Sequence, residues 1–328
     1  MAPQSYYLGG KIRASDFNIF AGDINDIVGI GSGDSGYGQD HLVVTQAIAG
    51  NSITAALWDE LLSSINYAAQ HQGTSINVPS SSSDAAWPAP GNVVSILPTL
   101  ETDIANIVAN KLNSDISYMT VVSNTISASE TYVDPNNGTP NWTNANQVYY
   151  EVRITFASED SRRQFFNAGG EIRFDSTLSN VGSDAQSLDW QSVLNAIATV
   201  KLSLTATESS ASVGTPGVGF NQLTSTYQNV YTKGGTGDYS ANQLNINAKL
   251  TGTDAIDVKI SFDDAHAADT GTWSNNGGGS WTGTDYVAGT LTVEVGELVA
   301  DDSPDGVEMT DGTNSDWTRT YTTLSTLS

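Results

Sequence analysis

The chain has 328 residues, and its 12 basic and 36 acidic residues leave a net charge of −24. A surface that acidic repels phosphate backbones and anionic lipid, which argues against nucleic acid and against membrane insertion. The absence of cysteine excludes disulfides, thiolate zinc sites, iron–sulfur clusters and thiol nucleophiles. Only 15% of residues are charged, so Ser, Thr, Asn and Gly carry the remaining polarity and favour turns and short strands. That balance suits an extracellular or particle-bound β-protein. No apolar run reaches the roughly 18 residues of a membrane span. The opening "MAPQSYYLGGKIRAS" lacks the apolar core of a signal peptide, so the expected route is assembly in the cytoplasm into a particle released by lysis.

From Ser15, helical spacing places Phe17, Phe20, Ile24, Ile27 and Val28 on one face, with Ser15 as the predicted cap and Gly29 as the stop. A second helix reads "TAALWDELLSSINYAAQHQG", capped by Thr54, striped by Leu57, Trp58, Leu61, Leu62, Ile65 and Ala69, and stopped by Gly73. Between them, "HLVVTQAI" reads as extended. The Ser/Pro-rich stretch 78–92 reads as a linker or an arm lying on a neighbour. A third amphipathic helix carries Leu100, Ile104, Ile107, Val108 and Leu112.

From about Met119 the texture changes to period-two strands: "VYYEVRITF", "VKLSLTATE", "QLNINAKLTG", "IDVKISFDD" and "TLTVEVGEL". Two short helices interrupt them, "EDSRRQFFNAGG" and "LDWQSVLNAIA", the latter with Trp190, Leu194 and Ile197 inward. The expected fold is mainly β, an antiparallel β-sandwich domain with short helices plus a small α-helical N-terminal module, α+β overall. The expected divisions are a helical docking module over 1–77, a linker and amphipathic helix over 78–118, and the β-domain with a C-terminal tail over 119–328. The N-terminal helices alone leave broad apolar stripes, so that module is expected to bury one of them on a partner.

The stretch "VGIGSGDSGYGQD" contains G-x-G-x-x-G at Gly31, Gly33 and Gly36. A dinucleotide fingerprint needs a strand before its glycines and a helix after them, so that pyrophosphate meets the helix N-terminus. Here a helix runs into Gly29, and the loop leaves toward an extended segment. The glycines lie at the negative end of a dipole, and Gly29, Gly31, Gly33 and Gly36 read as turn residues, with Asp34 and Ser35 bonding their own backbone.

The three histidines are His41, His71 and His266. His71 falls in the last turn of its helix, where a cation is favoured. His266 could join Asp263, Asp264 and Asp269 at a metal, although such a run is more often an exposed acidic loop. "DDSPDG" spaces Asp301, Ser303 and Asp305 before Gly306 like a calcium loop, but Gly312 stands where the bidentate Glu belongs. A looser calcium turn stays open there without support, and no cofactor or catalytic residue is expected. In "GTWSNNGGGSWTGTDY", Trp273, Trp281 and Tyr286 could stack on sugar or anchor the loop to the sandwich or to another subunit, with the second favoured. "SRRQFF" places two arginines where local pairing with Glu159 and Asp160 is the simplest role.

"KIRASDFNIFAGDINDIVGIGSGDSGYGQD" and "ITAALWDELLSSINYAAQHQG" together resemble a helical module of virion structural proteins from marine tailed phages, notably T4-like cyanophages. "YYEVRITFASEDSRRQFFNAGGEIRF", "DWQSVLNAIATVKL", "GFNQLTSTYQNVYT", "YSANQLNINAKLTG" and "VKISFDD" resemble the β-rich module of the same proteins. The most specific signature is residues 156–174, with Phe165 and Phe166 plugging the core and Asn167, Gly169 and Gly170 turning the chain. The resemblance covers most of the chain and implies an oligomeric component of the tail, baseplate, fibre or neck, contacting other virion proteins and copies of itself. It transfers no functional site. The alternative is a receptor-recognition protein that grips a host surface glycan, and a tail-associated glycan hydrolase is a distant third.

Overall fold

The computed structural model describes residues 12–80, 83–84, 86–88, 97–143, 145, 147–266, 270–273, 279–282, 285–301, 306–309 and 318–327. The chain forms two compact units, and neither is continuous in sequence. A helical unit comprises Met1–Thr120, Ser158–Gly170 and Val299–Trp317, and a sheet unit comprises Val121–Ala157, Glu171–Leu298 and Thr318–Ser328. These units divide the chain at 120, 157, 170, 298 and 317, whereas the sequence reading divides it at 77 and 118. The helical unit draws on three separate stretches because the "EDSRRQFFN" helix and the described residues Gly306 and Glu308 bond to its N-terminal part.

The helical unit contains α1 (Ala14–Val28), α2 (Ala55–Gln72), α3 (Leu97–Ala109) and α4 (Glu159–Asn167). The predicted stripes bury one another: Phe17, Phe20, Ile24, Ile27 and Val28 of α1 are buried with Trp58, Leu61, Leu62, Ile65 and Ala69 of α2 and Leu100, Ile104 and Ile107 of α3. Phe17 meets Trp58 edge to face, with centroids 5.3 Å apart. Part of that cover comes from α3, which lies outside the expected 1–77 module. Leu112 lies beyond the end of α3 and is exposed.

Thr54 caps α2 by accepting from the Leu57 N–H, and Gly73 ends it in the left-handed region at φ 65°. The cap of α1 is Arg13 rather than Ser15, and the Asp16 carboxylate accepts from the Arg13 N–H at 3.3 Å. Gly29 ends α1 in extended backbone. Its need for glycine is proximity, since a Cβ would lie 2.8 Å from the Asn25 carbonyl oxygen.

Among the described residues, no strand pairs with the extended segment after α1. Instead Asn25 brackets Val44, donating to its carbonyl at 2.9 Å and accepting from its N–H at 2.7 Å. Asn18 does the same for Ala47 at 3.0 and 2.7 Å. Seven residues apart, the two amides share a helix face and act as a surrogate strand. The described parts of the Ser/Pro stretch return to the helices rather than hanging free. Trp87 donates to Asp59 at 3.1 Å, and buried Asp103 accepts from the backbone of Asn77 and Val78 at 2.7 and 2.8 Å.

The sheet unit contains β1 (Met119–Tyr132), β2 (Val148–Phe156), β3 (Glu171–Ser179), α5 (Ala185–Ile197), β4 (Val200–Leu202), β5 (Ala206–Ser209), β6 (Thr215–Val218), β7 (Gln228–Gly234), β8 (Gln243–Thr251), β9 (Ala255–Asp263), the hairpin strands β10 (Thr270–Trp273) and β11 (Gly279–Thr282), β12 (Gly289–Ala300) and β13 (Arg319–Ser325). Among the described residues, eleven strands make one antiparallel sheet in the order β1-β12-β3-β4-β5-β6-β7-β8-β9-β2-β13, and β10 pairs with β11 in a separate two-stranded sheet. The protein is mainly β with short helices, α+β, and the two expected layers are halves of one curled sheet. Phe174 and Val200 from one half face Leu244 and Ile246 from the other, with Leu194 and Ile197 of α5 between them. Trp142 stacks against Trp190 of α5 at 4.9 Å and meets Phe262 of β9 at 5.8 Å and Tyr132 of β1 at 5.7 Å.

Two strand assignments change. "VKLSLTATE" is a hairpin in which Val200 pairs with Ser209 and Leu202 with Thr207, because Ser203 turns the chain by bonding Ala206. The C-terminal "tail" supplies strand β13. Arg319 and Tyr321 stand opposite Phe156 and Ile154 of β2, on the buried face. From there they reach Glu297 of β12, near the other end of the strand order. Arg319 grips its carboxylate with two bonds of 2.8 Å, and Tyr321 donates at 2.6 Å.

Candidate functional site

The glycine loop and α4 are the two sequence features richest in potential chemistry, and they engage each other. Gly31, Gly33 and Gly36 hold φ of +56°, +59° and +97°, the left-handed region that glycine adopts without steric cost. That turn sends the Tyr37, Gly38 and Gln39 N–H groups back to the carbonyls of Ile27, Gly29 and Val28 at 2.8, 2.8 and 2.7 Å. These are the orphan acceptors at the end of α1, so the loop is a C-terminal cap. Ser35 N–H donates to Ser32 at 3.0 Å, closing a tight turn.

The loop's carbonyls face α4. Arg163 donates to the Ser35 carbonyl and, at 2.7 Å, to that of Ile30, which also accepts from Gln164 at 3.2 Å. Asn167 offers its amide to Gly33, Ser35 and Gly36 at 3.2, 3.1 and 3.5 Å. Phosphate-binding loops aim N–H groups at their ligand. Here the Tyr37, Gly38 and Gln39 N–H groups turn back to α1, and the loop offers carbonyl oxygens to α4.

Local pairing of the arginines is half the story. Arg163 holds Asp160 at 3.0 Å as well as the loop. Asp34 and Ser35 both engage the Lys111 ammonium, at 2.7 and 3.2 Å, and the Lys111 hydrogen bond holds the Asp34 carboxyl below its usual range. Phe165 and Phe166 are buried edge to face at 5.0 Å within the helical unit. Gly169 holds φ +80°, where a Cβ would lie 2.7 Å from that of Ser114. At Gly170 it would lie 2.5 Å from the Phe165 carbonyl.

The histidines go three separate ways. His41 Nε2 lies 3.1 Å from the Gly306 carbonyl. His71 is fully buried beside the Tyr37 ring, and burial lowers its pKa to about 4, so it is neutral rather than the cation its helix position predicts. His266 Nδ1 lies 2.5 Å from Asp285. Asp264 accepts from Gln186 at 2.6 Å, and burial, aided by the Asp285 charge, pushes its pKa up to about 6. Asp263 accepts from Asn245 at 2.9 Å. The proposed metal ligands thus turn to different partners, and Asp269 lies outside the described residues. Among the described residues no group of three or more such side chains is placed to hold a metal ion. Ser303 and Asp305 of the calcium-like turn also lie outside them, while Asp301 accepts from Thr120 at 2.6 Å.

Trp273 and Trp281 belong to the β10–β11 hairpin, where Trp273 pairs with Gly279 and Gly271 with Trp281. Their side chains lie outside the described residues. Tyr286 is half-buried just after the hairpin.

Sequence reasoning missed Asn18, Asn25, Asp103 and Glu297. A buried polar residue within an apolar stripe was the available signal for Asp103 alone. No protein-family model, curated protein or solved structure matches this chain. No helix among the described residues is long and apolar enough to cross a membrane.

Proposed function

We propose that this chain is a structural subunit of a tailed-phage virion, in the tail, baseplate, fibre or neck, and that it works through contacts with other virion proteins and copies of itself. The supporting observation is that its most chemistry-like motifs hold the fold together. The glycine loop caps α1, and Arg163, Gln164 and Asn167 occupy the loop's carbonyls. The phrases resembling virion proteins span those same residues.

The interleaving of the two units supports a mechanical role. The polypeptide crosses between them after residues 120, 157, 170, 298 and 317, so neither unit is built from one continuous stretch. Immunogold labelling of purified particles tests this reading. Label at a fixed position on intact particles is the expected result, and label confined to the soluble lysate would contradict it.

A second reading, recognition of a host surface glycan, draws support from the β10–β11 hairpin, which carries Trp273 and Trp281 apart from the main sheet. Glycan-array binding by the intact chain, abolished by Trp281→Ala, would favour it.

A further inference from the structure

The curled sheet ends in two edge strands, β1 and β13, which differ in kind. β13 spans 7 residues and carries Arg319. β1 spans 14 residues, "MTVVSNTISASETY", with Glu130 as its one charge and neither Pro nor Gly. On one side β1 neighbours β12, where the Ser129 and Thr131 hydroxyls lie 3.0 Å from those of Thr292 and Thr290. On the other side no described strand pairs with it. Val121 and Val122 are 50% and 37% exposed. Strands are usually about 5–6 residues long, and long edges are normally blunted by charge, proline or a bulge. This chain has 36 acids, yet leaves its longest edge almost uncharged.

We propose that β1 is an interface strand that pairs antiparallel with β1 of a second copy of this chain, about a two-fold axis at Thr125. The inference rests on the reading of the chain as a subunit working through protein contacts. Length favours this occupant, since β13 of another copy would cover half of the edge, whereas β1 matches itself throughout. Charge favours it too. With Thr125 opposite Thr125, Glu130 faces Thr120, so no carboxylates oppose one another. Val121 faces Ser129 and Val122 faces Ala128, each pair on one face of the joined sheet. The exposed Thr125, Ser127, Ser129 and Thr131 face would continue the hydroxyl pairing already made with β12.

The test uses the full chain, whose lack of cysteine makes any introduced thiol unique. Opposed residues in an antiparallel pair lie within disulfide reach. Sedimentation should show a concentration-dependent dimer, and mild oxidation should cross-link Thr125→Cys between copies but not Thr322→Cys on exposed β13. Thr125→Lys would set two ammonium groups opposite each other while making each copy less negative. It should weaken the dimer by about tenfold or more, with an unchanged thermal melt at concentrations low enough that both chains are monomeric. If Thr125→Lys does not fold, the Thr125→Cys cross-link decides. A chain that stays monomeric overturns the inference. So does an oligomer that ignores Thr125→Lys and gives no Thr125→Cys cross-link, although that result leaves the subunit reading standing. Failure of the subunit reading would appear separately, as absence of the chain from particles.

Discussion

Gly33 and Gly36 share a loop and a positive φ but differ in their surroundings. A Cβ on Gly33 meets open space, whereas one on Gly36 runs into the Ile30 carbonyl. Gly33→Ala should therefore cost only the left-handed backbone penalty, about 1–2 kcal/mol. Gly36→Ala adds steric conflict and should cost clearly more, and urea denaturation of the two variants checks the order. Asn167 is a donor to three carbonyls in a buried position. Asn167→Ala should cost about 1–3 kcal/mol. Asn167→Asp, nearly the same shape, should cost more because it points a carboxylate at those oxygens.

His71 and Asp264 give opposite pH slopes. Burial depresses His71 to about 4 from 6.5, so the unfolded chain takes up a proton that the folded chain refuses. Its contribution is complete above about pH 6.5 and is lost as pH falls toward 4, about 3 kcal/mol in all. Asp264 is raised from 3.8 to about 6, chiefly by burial. Its contribution is complete below the unfolded value and is lost as pH rises through about 6. Denaturation near neutrality and near pH 5 should show His71→Gln flattening the acid-side loss and Asp264→Asn steepening it.

At the scale of elements, the Glu297 carboxylate ties β13 to β12 from inside the curled sheet. Glu297→Gln leaves the Arg319 guanidinium without its bidentate ionic partner and should cost about 3–5 kcal/mol. Pairing it with Arg319→Met should recover part of that loss, so a double-mutant cycle by chemical denaturation should give a coupling of at least about 1 kcal/mol.

This cluster also marks where sequence reading runs out. Strands such as β2 were legible because Val148, Tyr150, Val152, Ile154 and Phe156 alternate and all point inward. β13 was not, since an inward Arg and Tyr look like a solvated end until their distant partner is known. The helix before the glycines likewise revealed that the loop stops α1. That Arg163, Gln164 and Asn167 would occupy its carbonyls had no local sign, because more than 125 residues separate the partners. Asn18 and Asn25 were hidden differently: their spacing is helical, but amides bracketing a backbone leave no hydrophobic trace.

At the scale of the whole molecule, the residues most suggestive of chemistry stabilise its own units, and the outward work proposed for it is contact with other proteins. The −24 charge would oppose premature self-association of such a proposed subunit. Ordered incorporation implies a definite stoichiometry. Quantitative mass spectrometry of purified, nuclease-treated phage particles is the most direct measurement. The account predicts the chain in a fixed ratio to the major coat subunit from one preparation to the next. Its absence from particles, or a trace amount varying with residual lysate, would contradict the account.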